Sequence, residues 1–335
     1  AEAARYKAVG GLHELRGFVS ADGLKWRPIC EEPLLTDGKF DSQNVVFWDG
    51  ECSRYVAVYR DFIHGVRTLK VAFSEDFLNW SAGQWVDYGD IPEEQLYTNA
   101  TIPYFRAPHL YLSFPKRYLP YRTLVHDGKN NGLSDALFMS SRDTLHWYRF
   151  REAFIRPGRH IRNWIHRTTA VGRGIIQTGP DELSLYVLRH YTYPSVHIER
   201  MALRLDGFSS IRAGGQGGEF ITKPLVFGDG RDLGKSITHL QLNYATSAAG
   251  SVQLEIQDGA GHPLPGLTLE DSPVLYGDVI DQPVDWNRPG TRTDQYFLNS
   301  LAGKPIRLRF VLKDADLYAF QFSGEDRGDL PEDQV

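Results

Sequence analysis

Apolar and polar positions along the chain alternate in short, strand-like runs. Asn44-Val45-Val46-Phe47-Trp48 and Arg54-Tyr55-Val56-Ala57-Val58-Tyr59-Arg60 flank Asp49-Gly50, a hairpin signal. Leu110-Tyr111-Leu112-Ser113-Phe114 and Leu183-Ser184-Leu185-Tyr186-Val187-Leu188 repeat the theme. No segment keeps a helical period over a dozen residues, so the pattern predicts an all-β chain.

Three segments share the pattern S-x-D-x-L-x-W, at Ser20 to Trp26, Ser74 to Trp80 and Ser141 to Trp147, and a degenerate copy follows at Leu205-Asp206-Gly207-Phe208-Ser209. Each of the three follows a β-rich run and reads as strand, tight turn, strand. The Asp caps the turn, Gly supplies φ > 0 where present, and the Trp is expected to pack between neighbouring sheets. The three copies start about 54 and 67 residues apart, the length of one propeller blade with its loops. Residues 1–213 are therefore expected to form a β-propeller. Gly214-Gly215-Gln216-Gly217-Gly218 reads as a linker. Beyond it, alternating runs such as Ser251 to Ile256, Pro305 to Leu312 and Leu317 to Phe322 predict a β-sandwich over 219–325. Residues 326–335 are expected to be a disordered acidic tail.

Composition narrows the function. With 37 Lys and Arg against 42 Asp and Glu, the chain has no basic surplus for nucleic acid. No apolar run approaches the ~20 residues of a membrane helix. Two cysteines rule out a disulfide scaffold or a four-cysteine zinc site, and the 11 histidines show no H-x-H or H-E-x-x-H spacing. No metal or cofactor is signalled, and the glycine run has no phosphate-loop context.

The repeated turns, with Phe40-Asp41-Ser42-Gln43-Asn44, Tyr59-Arg60-Asp61 and Gly179-Pro180-Asp181-Glu182, resemble the five-bladed propeller glycosidases of glycoside hydrolase families 32, 43, 62 and 68. They are also similar to glycosyl-hydrolase-like proteins of planctomycetes and environmental bacteria. The resemblance implies a secreted or periplasmic bacterial protein with a carbohydrate substrate, and it is compatible with a structural calcium on the propeller axis. About three and a half blades are countable against the family's five. The resemblance thus implies that roughly one and a half N-terminal blades, including the first with the aspartate it supplies as nucleophile or base, lie outside this chain.

Glycoside hydrolysis needs two carboxyl groups across the scissile bond. In a propeller, residues that open the innermost strand of a blade converge on the axis. Asp41 fits that rule as base, nucleophile or modulator of the acid, and Glu182, after a Gly-Pro turn, is expected to be the general acid. Asp135 enters a strand and is a further pocket carboxylate. Arg60-Asp61 resembles the Arg-Asp pair with which family 32 enzymes grip sugar hydroxyls, although Phe62 stands where that motif has Pro. Asn44, Tyr97 and Asn99 are candidate sugar contacts, as are Trp164, His166 and Arg167 before a blade and Arg117 and Arg189 in others. So Arg-rich a mouth would suit an acidic or sulfated sugar. A lectin-like propeller without catalysis is the alternative.

Overall fold

The computed structural model describes residues 4–127, 129–228, 235–286 and 294–326. It divides into two compact units, Ala1–Thr178 with Ser184–Ala202, and Gly179–Leu183 with Leu203–Val335. The fold is almost entirely β, with propeller-type blade sheets in the first unit and a β-sandwich in the second.

The first unit is a succession of antiparallel sheets, four blades among the described residues. Strands β1 (Tyr6–Gly10), β2 (Arg16–Ser20) and β3 (Arg27–Pro28) form the first. The second is a full four-stranded blade of β4 (Val45–Asp49), β5 (Arg54–Ile63), β6 (Val66–Ser74) and β7 (Gln84–Trp85). In the third, β8 (Gln95–Leu96) precedes β9 (Ile102–Tyr104), β10 (Ala107–Ser113), β11 (Lys116–Leu119), β12 (Leu133–Ala136), β13 (Met139–Ser141) and β14 (Trp147–Arg149). Strands β9, β10, β13 and β14 make its blade, and β11, β12 and β8 a three-stranded sheet that continues the hairpin. A fourth sheet joins β15 (Ile176–Gln177), β16 (Glu182–Arg189) and β17 (His197–Arg204).

The blades stack because β5 is apolar on both faces. Val56 and Val58 belong to a core with Val45, Leu69, Tyr111 and Trp147, while Ala57 and Tyr59 belong to another with Leu15, Leu35 and Phe40. Successive side chains point to opposite faces, so one strand joins the second blade to the third on one side and to the first on the other.

The repeat turns share one hydrogen-bond network. In each, the Ser hydroxyl donates to the Asp carboxylate (3.0, 3.1 and 3.2 Å), and the same carboxylate oxygen accepts the N–H groups two and three residues on (2.8–2.9 Å). The Trp indole closes the turn on the carbonyl three residues back, at 3.0, 3.0 and 2.7 Å. The residue after the Asp is left-handed in all three, Gly23 at φ 78°, Phe77 at 71° and Thr144 at 70°. Burial of the Trp varies, against expectation. Trp147 is 4% exposed and in the core, whereas Trp26, in the three-stranded first blade, is 43% exposed.

The second unit is built on β18 (Ile211–Ala213), β19 (Gly218–Ile221), β20 (Lys235–Asp258), β21 (Asp278–Pro283), a helix α1 (Asp294–Leu301) and β22 (Ile306–Asp326). Strands β20 and β22 pair along most of their length, with register shifts at Asn243/Tyr244 and Thr246/Ser251. Residues from both halves of this hairpin, Leu240 and Leu242 as well as Leu254 and Ile256, lie in one core, so the hairpin folds over itself. Leu298 and Leu301, one helical turn apart on α1, close that core. The helix is too short for a periodicity argument to reveal it.

The boundary near residue 213 differs from expectation. Ile211–Ala213 pairs with Leu317–Ala315 of β22, inside the second unit. The glycine run is a turn rather than a linker. Gly217 N–H donates to Gly214 O at 2.9 Å, and both flanking strands hydrogen-bond to β22. Of the acidic tail expected at 326–335, all but Asp326 lies outside the described residues.

Candidate functional site

Three blade-entry segments meet through Gln43. Its Oε1 accepts the N–H groups of Asn99 (3.0 Å) and Ala100 (2.7 Å), its Nε2 donates to Val171 O (3.2 Å), and Ser42 Oγ donates to Tyr97 O (2.7 Å). This junction places Asp41, Tyr97 and Arg167 at one end of the second, third and fourth blades.

At that end, β5 and β6 present Arg60, Phe62 and Arg67 on one face, since Arg60 is opposite Leu69 and Phe62 opposite Arg67. The Arg60 guanidinium lies 4.8 Å from the Tyr97 ring centroid and that of Arg67 lies 5.1 Å from it. Lys116, opening β11, brings its Nζ to 4.3 Å from the same ring. Tyr118 follows on the same face, 5.6 Å below Arg67 and 6.1 Å from the His166 ring. Arg60 is buried, 3% exposed, and forms an ion pair with Asp41, whose side chain is 51% exposed. Only one Asp41 oxygen is engaged by Arg60.

The electrostatics follow from this crowding. Burial first, and then the Arg167, Arg60 and Arg67 charges, pull the Lys116 pKa down to about 8. Burial, followed by Arg167 and Lys116, also lowers that of His166.

Several predicted residues are not part of this group. Asp135 is opposite Arg117 in the β11–β12 register, on the sheet face away from Lys116. Arg117 grips it with two bonds of 2.9 and 2.7 Å and also binds Glu94. Both are thus members of an ion-pair network on the sheet face away from Lys116. Asp61 alternates with Arg60 and faces the other way, 3.6 Å from Lys70, so the two residues of the Arg-Asp pair are parted by the pleat. Glu182 opens β16 at the end opposite Arg189, about 23 Å of extended chain away. Arg189, in turn, is held by Glu199 (2.6 Å) and Thr169. Asn99 is fully buried and binds Gln43 O through its amide, while Asn44 donates to Phe40 O (2.8 Å) and closes the loop carrying Asp41. Trp164 bonds Gly158 O (2.8 Å). Sequence reasoning missed Arg67, Lys116 and Tyr118. The available signal was a lysine starting a strand, alternating with Arg117.

Two cavities, of about 560 and 330 Å³, lie in this unit, the first lined by Arg54, Glu75 and Asp76 and the second by Lys7, Asn44, Trp48 and Arg173. Among the described residues no cluster of three His, Cys, Asp or Glu is placed to hold a metal ion. No helix of the described residues is long and apolar enough to cross a membrane.

No protein-family model matches the chain, and no curated protein matches it. Among solved structures it is similar to an N-acetylgalactosamine deacetylase from F. plautii, at TM-score 0.38 and 10% identity over 54% of this chain and 55% of that one. It is also similar to a glycosyl hydrolase from Bacteroides ovatus, at TM-score 0.38 and 14% identity over 55% and 56%. A third is the Bombyx mori family 32 β-fructofuranosidase, at TM-score 0.39 and 11% identity over 92% and 73%. The chain spans little more than half the length of the first two of these structures.

Proposed function

We propose that the propeller unit is carbohydrate-active and takes a saccharide at the mouth formed by Asp41, Arg60, Tyr97 and Arg67. The observation that carries this reading is the Asp41–Arg60 pair beside the Tyr97 ring. Arg60 holds one carboxylate oxygen and leaves the half-exposed carboxylate able to accept from sugar hydroxyls. The polar groups that converge around Tyr97 supply hydrogen bonds and an orientation for a sugar.

Within this reading, glycoside hydrolysis with Asp41 as nucleophile or base is the activity the family resemblance implies. Hydrolysis needs a second carboxyl group. Of the four carboxylates singled out from the sequence, only Asp41 stands among the mouth residues, and that favours the sugar-binding form for this chain. A panel of plant and algal oligosaccharides, assayed for product release and for binding with wild type and Asp41→Asn, separates the forms. Release that falls about a hundredfold or more in the variant supports hydrolysis. Binding without release, weakened about tenfold in the variant, supports the lectin-like form. Neither release nor binding would overturn the proposal.

A further inference from the structure

The mouth holds more positive charge than its own residues neutralise. Arg60, Arg67 and Lys116 surround one tyrosine ring. Among the described residues, Asp41 is the only carboxylate paired with any of these three cations. Lys116 is 4% exposed as a residue; its Nζ makes no hydrogen bond or ion pair among the described residues and is not one of the fully buried atoms, so it opens to the mouth. Arg60 Nε, Arg67 Nε and His166 Nδ1 are buried without a partner, while Arg67 Nη1 donates to Gln95 Oε1 at 2.9 Å.

Such an arrangement is costly. An ammonium on a buried stem keeps little water and has no protein acceptor here, and the like charges nearby add to the cost. The Tyr97 ring offsets only part of it. Elsewhere in the unit, buried cations have conventional partners, Lys70 with Asp37 at 2.8 Å and Arg117 with Asp135 at 2.7 Å. A neutral sugar hydroxyl could fill a hydrogen bond here but would leave the charge uncompensated, whereas an anion supplies both.

We infer that Lys116 and Arg67 form an anion subsite that takes a carboxylate or sulfate group borne by the saccharide, with Asp41 and Arg60 beside it on the sugar. This deepens the saccharide reading and rests on it. The carboxylate and sulfate forms share one recognition chemistry, charge-assisted bonds from an ammonium and a guanidinium group.

Calorimetric titration of the full chain with two matched pairs tests the inference. One pair is an oligogalacturonate and its methyl ester, and the other a sulfated galactan oligosaccharide and its desulfated form. The charged member of one pair is expected to bind about tenfold or more tighter than its neutral counterpart, and which pair shows it tells carboxylate from sulfate. Lys116→Met is expected to bring the charged form down to the affinity of the neutral one. Arg67→Gln, which keeps a polar side chain beside Gln95, is expected to narrow the preference severalfold. Equal binding of charged and neutral members, or a preference that survives both substitutions, overturns the anion subsite while leaving the saccharide reading in place. Absence of binding by all four overturns both.

Discussion

At the residue scale, two side chains carry the clearest consequences. Lys116 is charged below its pKa of about 8 and neutral above it. Its surroundings are Arg60, Arg67, Arg167, Tyr97, Tyr118 and His166, with Asp41 on Arg60, and the lowered pKa of His166 keeps that ring neutral from pH 7 upward. Affinity for an anionic saccharide is thus expected to weaken about tenfold between pH 7 and pH 9, as titrations at fixed salt would show. Stability runs in the opposite direction. The unfolded lysine, with a pKa of about 10.4, binds more protons than the folded one between pH 8 and that value, so this group's contribution to stability rises with pH across the window. The second case is the Trp of the repeat. Trp147→Ala empties a core position and is expected to cost about 3–5 kcal/mol, whereas Trp26→Ala, at a half-exposed site, is expected to cost less than about 1 kcal/mol. Urea unfolding of the two variants compares them directly. The turns themselves were legible in the sequence because every bond in them closes within seven residues. The burial of each Trp was not, because it depends on how many strands cover the turn.

At the element scale, the two-residue alternation of strands decides which predicted groups share a site. Arg60 and Asp61 are adjacent in sequence and face different blades. Lys116 and Tyr118 share a face, and Arg117, between them, joins Asp135 on the other. A one-residue difference in register exchanges these sets, and no local motif fixes it. That is why Arg117 and Asp135 read as pocket residues in the sequence while Lys116 passed unnoticed. Strand direction has the same effect on Glu182. The Gly-Pro turn announced a strand start correctly, but β16 begins at the end away from Arg189. The glycine run shows a further limit. Its composition signals a break, and only the pairing of both flanking strands with β22 reveals a turn within one sheet.

At the scale of the whole molecule, the architecture was the most legible feature. Repeats at blade spacing gave the propeller sheets, and a change of pattern gave the sandwich. Asp41 and Tyr97, both singled out in the sequence, enter successive blades, and the Ser42–Gln43 junction gives the physical reason these segments converge. The proposed saccharide site is this mouth, beside Tyr97, and not the strand end that carries Glu182. Titration of Tyr97→Ala, Glu182→Gln and wild type with the tightest-binding oligosaccharide of the panel tells the two apart. Tyr97→Ala is expected to weaken binding about tenfold or more, and Glu182→Gln to stay within about twofold of wild type. Loss of binding in Glu182→Gln with Tyr97→Ala unaffected would contradict this placement and move the site to the other end of the strands.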